Sequence, residues 1–115
     1  MKAEVILMKC PEARKVFGVR TEERNGDWYR TWAFRINERT AVNEGFDKTV
    51  IRGNLIPDEE YNGCPYCKAM YFVQCSSCGK LSCWNGEERM SCGWCGLTGN
   101  TKQIEDAIDV RGGGY

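Results

Sequence analysis

Apolar and polar positions alternate on either side of one turn. Asn25-Gly26 is a preferred pair for a two-residue type I′ turn, and a hairpin closed there sets Arg24 opposite Asp27. A regular register then places Val19 opposite Trp32 and Phe17 opposite Phe34. Phe17, Val19, Trp32 and Phe34 share one face, while Arg20, Glu22, Tyr29 and Thr31 share the other. Trp28 is expected near the turn and Trp32 in the core. Glu4–Met8 reads as a strand ahead of this hairpin. Behind it, Glu38–Glu44 reads as a short helix with Asn37 as its cap and Gly45 as its stop. Thr49–Ile56 reads as a strand broken at Gly53-Asn54.

A second hairpin is expected at Asn85-Gly86, pairing Leu81 with Met90 and Gly79 with Cys92. Thr98–Val110 carries Ile104, Ala107 and Ile108 at helical spacing, with Asn100 or Thr101 as a cap, so it is expected to form a helix against the sheet. The fold class expected is therefore a small α+β protein. It combines an antiparallel sheet with hairpins, a zinc-ribbon-like half held by metal, and one or two short helices. Residues 1–60 form the hairpin subdomain and residues 61–115 the cysteine-rich subdomain, together one compact unit.

Cysteine changes the picture most. Of eight cysteines, all but Cys10 fall between residues 64 and 95. Six make three Cys-x-x-Cys pairs: Cys64 with Cys67, Cys75 with Cys78, and Cys92 with Cys95. Each such turn presents two thiolates suited to one tetrahedral cation, usually zinc. Gly79 and Gly96 follow two of the pairs, where a knuckle often needs a left-handed residue. The second hairpin assigns Cys75, Cys78, Cys92 and Cys95 to one site. Cys64, Cys67 and Cys83 are then one ligand short, and Cys10 completes a second site unless it is simply a small core residue. Pairing Cys64 and Cys67 with Cys92 and Cys95 also fits the spacing. The expectation is Zn2+, two ions or one; geometry at a tetrahedral sulfur site does not separate zinc from iron, and the lone Cys83 with its possible second site makes iron the less favoured occupant.

Composition narrows the function. Sixteen basic residues balance sixteen acidic ones, and histidine is absent. That excludes His-containing zinc fingers, His-pair zinc proteases and His-assisted nucleophiles. Two loaded four-thiolate sites would each add about −2, which argues against nucleic acid as the partner. Residues three apart bridge poorly as disulfides, and the only early apolar run, Val5–Met8, is too short for a signal peptide. No stretch is long enough for a membrane span. A reduced, cytoplasmic protein follows as the expectation.

Cys64-Pro65-Tyr66-Cys67 matches a glutaredoxin active site, but Glu59–Gly63 before it reads as a turn and no helical stripe follows it. No enzyme is expected. Trp84 and Trp94 either shield sulfur or face a partner, and few basic residues accompany them, so a protein partner is favoured over base stacking.

Several segments together resemble a known family. They are Cys10-Pro11, Phe17-Gly18-Val19-Arg20, Trp32-Ala33-Phe34, Glu44-Gly45-Phe46-Asp47, Gly63–Cys67, Cys78-Gly79-Lys80-Leu81-x-Cys83 and Cys92-x-Trp94-Cys95-Gly96. Across residues 4–98 the chain resembles the carboxyl-terminal metal-binding domain of TerY-type tellurite-resistance proteins. Members usually carry it behind a von Willebrand factor A domain, for which this sequence has no room. The resemblance implies a bacterial, cytoplasmic, zinc-binding accessory module of a tellurium-resistance or stress-response system. Such a module would bind another protein, for instance one with a von Willebrand factor A domain. Two other functions remain open: a thiolate-based sensor or trap for metal or oxidant, and a nucleic-acid-binding ribbon.

Overall fold

The computed structural model describes residues 2–46, 50–75, 79–84, 89–96, 98–100 and 108–111. Strands β1 (Ala3–Cys10), β2 (Lys15–Arg24) and β3 (Asp27–Arg35) form an antiparallel meander, followed by helix α1 (Glu38–Asn43). Then come β4 (Val50–Gly53), β5 (Leu55–Pro57), β6 (Tyr71–Gln74), β7 (Leu81–Trp84), β8 (Arg89–Ser91), β9 (Thr98–Asn100) and β10 (Ile108–Arg111). Six strands share one mixed sheet in the order β5-β3-β2-β1-β7-β6, with β1–β7 and β3–β5 parallel. The pairs β4–β10 and β8–β9 are small antiparallel ribbons. Residues 1–60 and 61–115 both supply strands to the main sheet. The fold is dominated by β structure, with one six-residue helix among the described residues, rather than a balanced α+β arrangement. Among those residues no helix is long and apolar enough to cross a membrane.

The first hairpin closes at Asn25-Gly26 with φ of 53° and 88°, the left-handed pair that a type I′ turn demands. Arg24 faces Asp27 as expected, but the register does not run on regularly. Thr21 pairs with Arg30 and Arg20 with Trp32, leaving Thr31 as the extra residue of a β-bulge. Val19 therefore faces Ala33, and Phe17 faces Arg35, in place of Trp32 and Phe34. The one-residue slip reverses the faces beyond the bulge: Trp28 and Arg30 before it and Ala33 after it point inward, and Trp32 is 53% exposed. Phe34 instead crosses Gly18, where a Cβ would stand 2.4 Å from its ring. Only glycine admits that approach.

The helix and the broken strand follow the local signals. Asn37 Oδ1 accepts from the Thr40 amide at 2.7 Å, and Gly45 stops the helix with φ +78°. Asn54 interrupts the strand between β4 and β5, and its carbonyl accepts from the Trp28 amide at 2.9 Å.

Two other expectations fail. The Leu81–Met90 pairing is absent because β7 already has two neighbours, β1 and β6, and β8 pairs with β9. The Asn85-Gly86 turn itself lies outside the described residues. The expected carboxyl-terminal helix is replaced at both its ends by strand: Thr98–Asn100 pairs with β8, and Ile108–Arg111 pairs with Val50–Gly53. Ile108 and Val110 are β-branched and find an open strand edge there, which outweighs a three-residue apolar stripe. Ile104 and Ala107 lie outside the described residues.

The core gathers Ile6, Met8, Phe17, Val19, Trp28, Leu55, Tyr61 and Leu81, and includes Cys10, Cys64 and Cys83. Arg30 is buried among them. Its guanidinium lies 4.8 Å from the centres of both the Tyr61 and Phe72 rings, and Nη1 donates to the Met70 carbonyl at 2.9 Å. Burial pushes its pKa below the usual arginine value.

Candidate metal centre

Three separate stretches build the first cluster. Cys10 ends β1, Cys83 lies in β7, and Cys64 and Cys67 belong to the loop between β5 and β6. The parallel pairs Met8–Leu81 and Lys9–Ser82 carry Cys10 alongside Cys83 at the same end of the sheet. The loop is fastened to the meander by Asn62, whose Oδ1 accepts from the Ala33 amide at 2.7 Å and whose Nδ2 donates to the Ala33 carbonyl at 2.8 Å. The Tyr66 hydroxyl donates to the Val16 carbonyl at 3.0 Å. Within the knuckle the Lys68 amide donates to the Cys64 carbonyl, and the Cys64 amide to the Ala69 carbonyl. Lys68, with φ 68°, takes the left-handed place that glycine fills in the other knuckles. As a result, all four Sγ atoms lie within 4.8 Å of one another.

The second cluster joins Cys75 to Cys92 and Cys95, again with every Sγ within 4.8 Å. Each knuckle here is a hairpin turn in its own right, one connecting β6 to β7 and the other β8 to β9. The Gly79 amide donates to the Cys75 carbonyl at 2.8 Å, and the Gly96 amide to the Cys92 carbonyl at 3.0 Å. Gly79 and Gly96 have φ of +74° and +79°, so both glycines sit where only a left-handed residue closes the turn. Cys78 lies outside the described residues. The structure therefore groups Cys64 and Cys67 with Cys10 and Cys83, and Cys75 with Cys92 and Cys95; Cys64 and Cys67 are not grouped with Cys92 and Cys95.

The donor chemistry fits a soft tetrahedral cation. Metal–sulfur bonds of about 2.3 Å imply sulfur–sulfur edges of about 3.8 Å. Cys67 and Cys83 stand 3.5 Å apart and Cys75 and Cys95 3.7 Å apart, close to that edge. Backbone amides already point at sulfur: Ala13 at Cys10, Tyr66 at Cys64, and both Trp94 and Cys95 at Cys92, at 3.3–3.5 Å. Such donors stabilise thiolates.

Electrostatics differ within the first cluster. Hydrogen bonding from Cys83 brings the Cys64 thiol down to about 5. Burial pushes Cys67 up to about 11, and Cys83 is raised by its bond to Cys64. The Cys83 thiol thus favours the thiolate form of Cys64. A divalent cation would displace the remaining protons. The two clusters also differ in exposure. Cys10, Cys64 and Cys83 are buried, whereas Cys95 is exposed.

No local pattern announces Asn62 or Arg30, whose partners lie far away along the chain. The bulge at Thr31 was equally silent.

No match was found among curated proteins or among solved structures. The TerY-C metal binding domain model matches residues 47–114, more than half of the chain, and covers both groups of cysteines except Cys10. With two cysteine clusters able to hold metal ions and this match, the chain belongs to the TerY-C metal-binding domain family.

Proposed function

We propose that this protein is a non-enzymatic, zinc-binding accessory module that docks onto another protein in a bacterial tellurium-resistance or stress-response system. One zinc would be held by Cys10, Cys64, Cys67 and Cys83, and a second by Cys75, Cys78, Cys92 and Cys95. The observation that carries this reading is the set of four sulfurs, three of them on buried cysteines, drawn from three distant stretches of chain. Four protein thiolates fill a tetrahedron and leave no open position for a substrate, which is the pattern of structural rather than catalytic zinc. A chain this small also gains folding energy from such a staple. Native mass spectrometry with elemental analysis on reduced protein should give two zincs and no free thiols. Iron in their place would overturn the zinc assignment, and no bound metal would overturn the whole reading.

Docking is supported by large apolar side chains that the fold leaves outside. Trp32 and Tyr71 are 53% and 54% exposed, and aromatic side chains are enriched at protein interfaces. The partner favoured is a protein carrying a von Willebrand factor A domain. Titration calorimetry against such a domain should show binding that weakens with Trp32→Ala or Tyr71→Ala; no heat at micromolar concentrations would end this part of the proposal.

A second reading, a thiolate sensor of metal or oxidant, is favoured by the second cluster, where Cys95 is exposed and its Sγ stands 3.7 Å from that of Cys75. It predicts that near-stoichiometric hydrogen peroxide releases one zinc of two. Full retention would rule it out.

A further inference from the structure

Two of the three knuckles share a construction that metal ligation alone does not require. The residue before the second cysteine is aromatic in both: Tyr66 before Cys67 and Trp94 before Cys95. Each aromatic donates its own amide to the first sulfur, at 3.4 Å to Cys64 and 3.3 Å to Cys92. Each then donates its ring's polar hydrogen to a strand carbonyl of the main sheet. Tyr66 Oη reaches Val16 at 3.0 Å, and Trp94 Nε1 reaches Leu81 at 2.6 Å. Finally, each ring carries two cations. Lys15 Nζ and the Arg35 guanidinium lie 5.9 and 5.4 Å from the centre of Tyr66, and Lys9 and Lys80 Nζ lie 5.3 and 4.8 Å from that of Trp94.

We propose that Tyr66 and Trp94 are positioning residues that dock the knuckles onto the sheet and hold a pair of cations beside each loaded metal centre. This rests on the metal-binding reading above. A divalent cation in four thiolates carries a net charge of −2, and the two cations on each ring match it in number. Left to themselves, lysine and arginine side chains would roam through solvent, where their field is weak. A ring face within about 6 Å restrains them on a residue that directly precedes a cysteine ligand. Lys15 and Arg35 have no carboxylate partner among the described residues, and Lys9 has only Glu38 at 4.0 Å. The chain's formal charge is zero with its thiols protonated and these four cations already counted, so loading two sites makes it anionic overall, and what the ring-held cations offset is the local field at each site.

The test compares zinc affinities by competition with a chromophoric chelator at low salt and at 1 M sodium chloride, with native mass spectrometry to count ions. Cys10→Ala identifies which of the two binding events belongs to the buried cluster. The double variant Lys15→Met/Arg35→Met should weaken that event roughly ten-fold or more at low salt, the size typical of an outer-shell change. The loss should shrink at high salt, where screening acts over about 3 Å. Arg35→Lys should rescue it. Lys9→Met/Lys80→Met should weaken the other event instead. Tyr66→Phe keeps the ring and its cations but loses the bond to Val16, so its loss should not depend on salt. Losses that fall on both events alike, or that ignore salt in the cation variants, would reduce these residues to ordinary packing and overturn the proposal. Unaltered affinities in variants of a protein that binds two zincs would do the same. A wild-type chain that binds no zinc would remove the metal reading itself.

Discussion

Replacing Cys10 by alanine separates a metal ligand from a merely buried thiol. Cys10 is completely buried and lies outside residues 47–114, the span of the family match. Without metal, the change removes one sulfur from the core and the acceptor of the Ala13 amide, a loss of about 1–2 kcal/mol. With metal, the loss is larger. Structural zinc contributes about 10–16 kcal/mol shared over four ligands, so one thiolate accounts for roughly 2.5–4 kcal/mol. At 1.4 kcal/mol per decade this weakens one site by roughly 10²–10³. Chelator competition should therefore resolve one intact and one weakened event, and native mass spectrometry at moderate chelator should show one ion in place of two. Two ions bound with wild-type affinity would refute the reasoning and return Cys10 to the role of a small core residue.

The bulge at Thr31 predicts opposite outcomes for two tryptophans on one strand: Trp28→Ala should cost about 3–5 kcal/mol in denaturant unfolding, and Trp32→Ala no more than about 0.5. Equal costs would mean that the register is regular. Gly63 has φ +80°, and a Cβ there would stand 2.9 Å from the Lys68 carbonyl oxygen and Met70 Sδ, so Gly63→Ala should lower stability by at least about 1–2 kcal/mol. An unchanged denaturation midpoint would contradict this. Asp58 accepts from Arg24 at 2.8 Å, which holds its carboxyl below the ordinary value near 4. Its contribution is complete above that value and is lost as pH falls through the lower folded one, so the stability gap between wild type and Asp58→Asn should close in strong acid and stay constant above pH ~5.

Much of the fold could be read locally. Turns and caps are fixed by a residue or two, which is why Asn25-Gly26, the Asn37 cap and the glycines at 79 and 96 behave as their chemistry dictates. Register is different. One unpaired residue at Thr31 inverts every later side chain of β3, and alternation of residue types gives no warning because Trp32 is as apolar as a core residue. The Asn85-Gly86 signal misled for a related reason: a turn motif says nothing about which strands lie on either side of β7, and that is settled by the parallel pairing with β1. The cysteine spacing announced knuckles, but their grouping depends on the same long-range pairing, since it is β1 that delivers Cys10 to Cys83.

The span of the first cluster bears on how the chain assembles. Its ligands run from residue 10 to residue 83, so the cluster cannot close until most of the polypeptide has emerged and the parallel β1–β7 contact has formed. Contacts this far apart in sequence carry a large loop-closure entropy and come late. The second cluster draws its described sulfurs from residues 75 to 95 alone and can close over a short loop. Ion capture at the carboxyl-terminal knuckles would therefore come first, and the amino-terminal meander would be sealed last. A chain cut short before Cys83 would hold its first strand ready with nothing to grip.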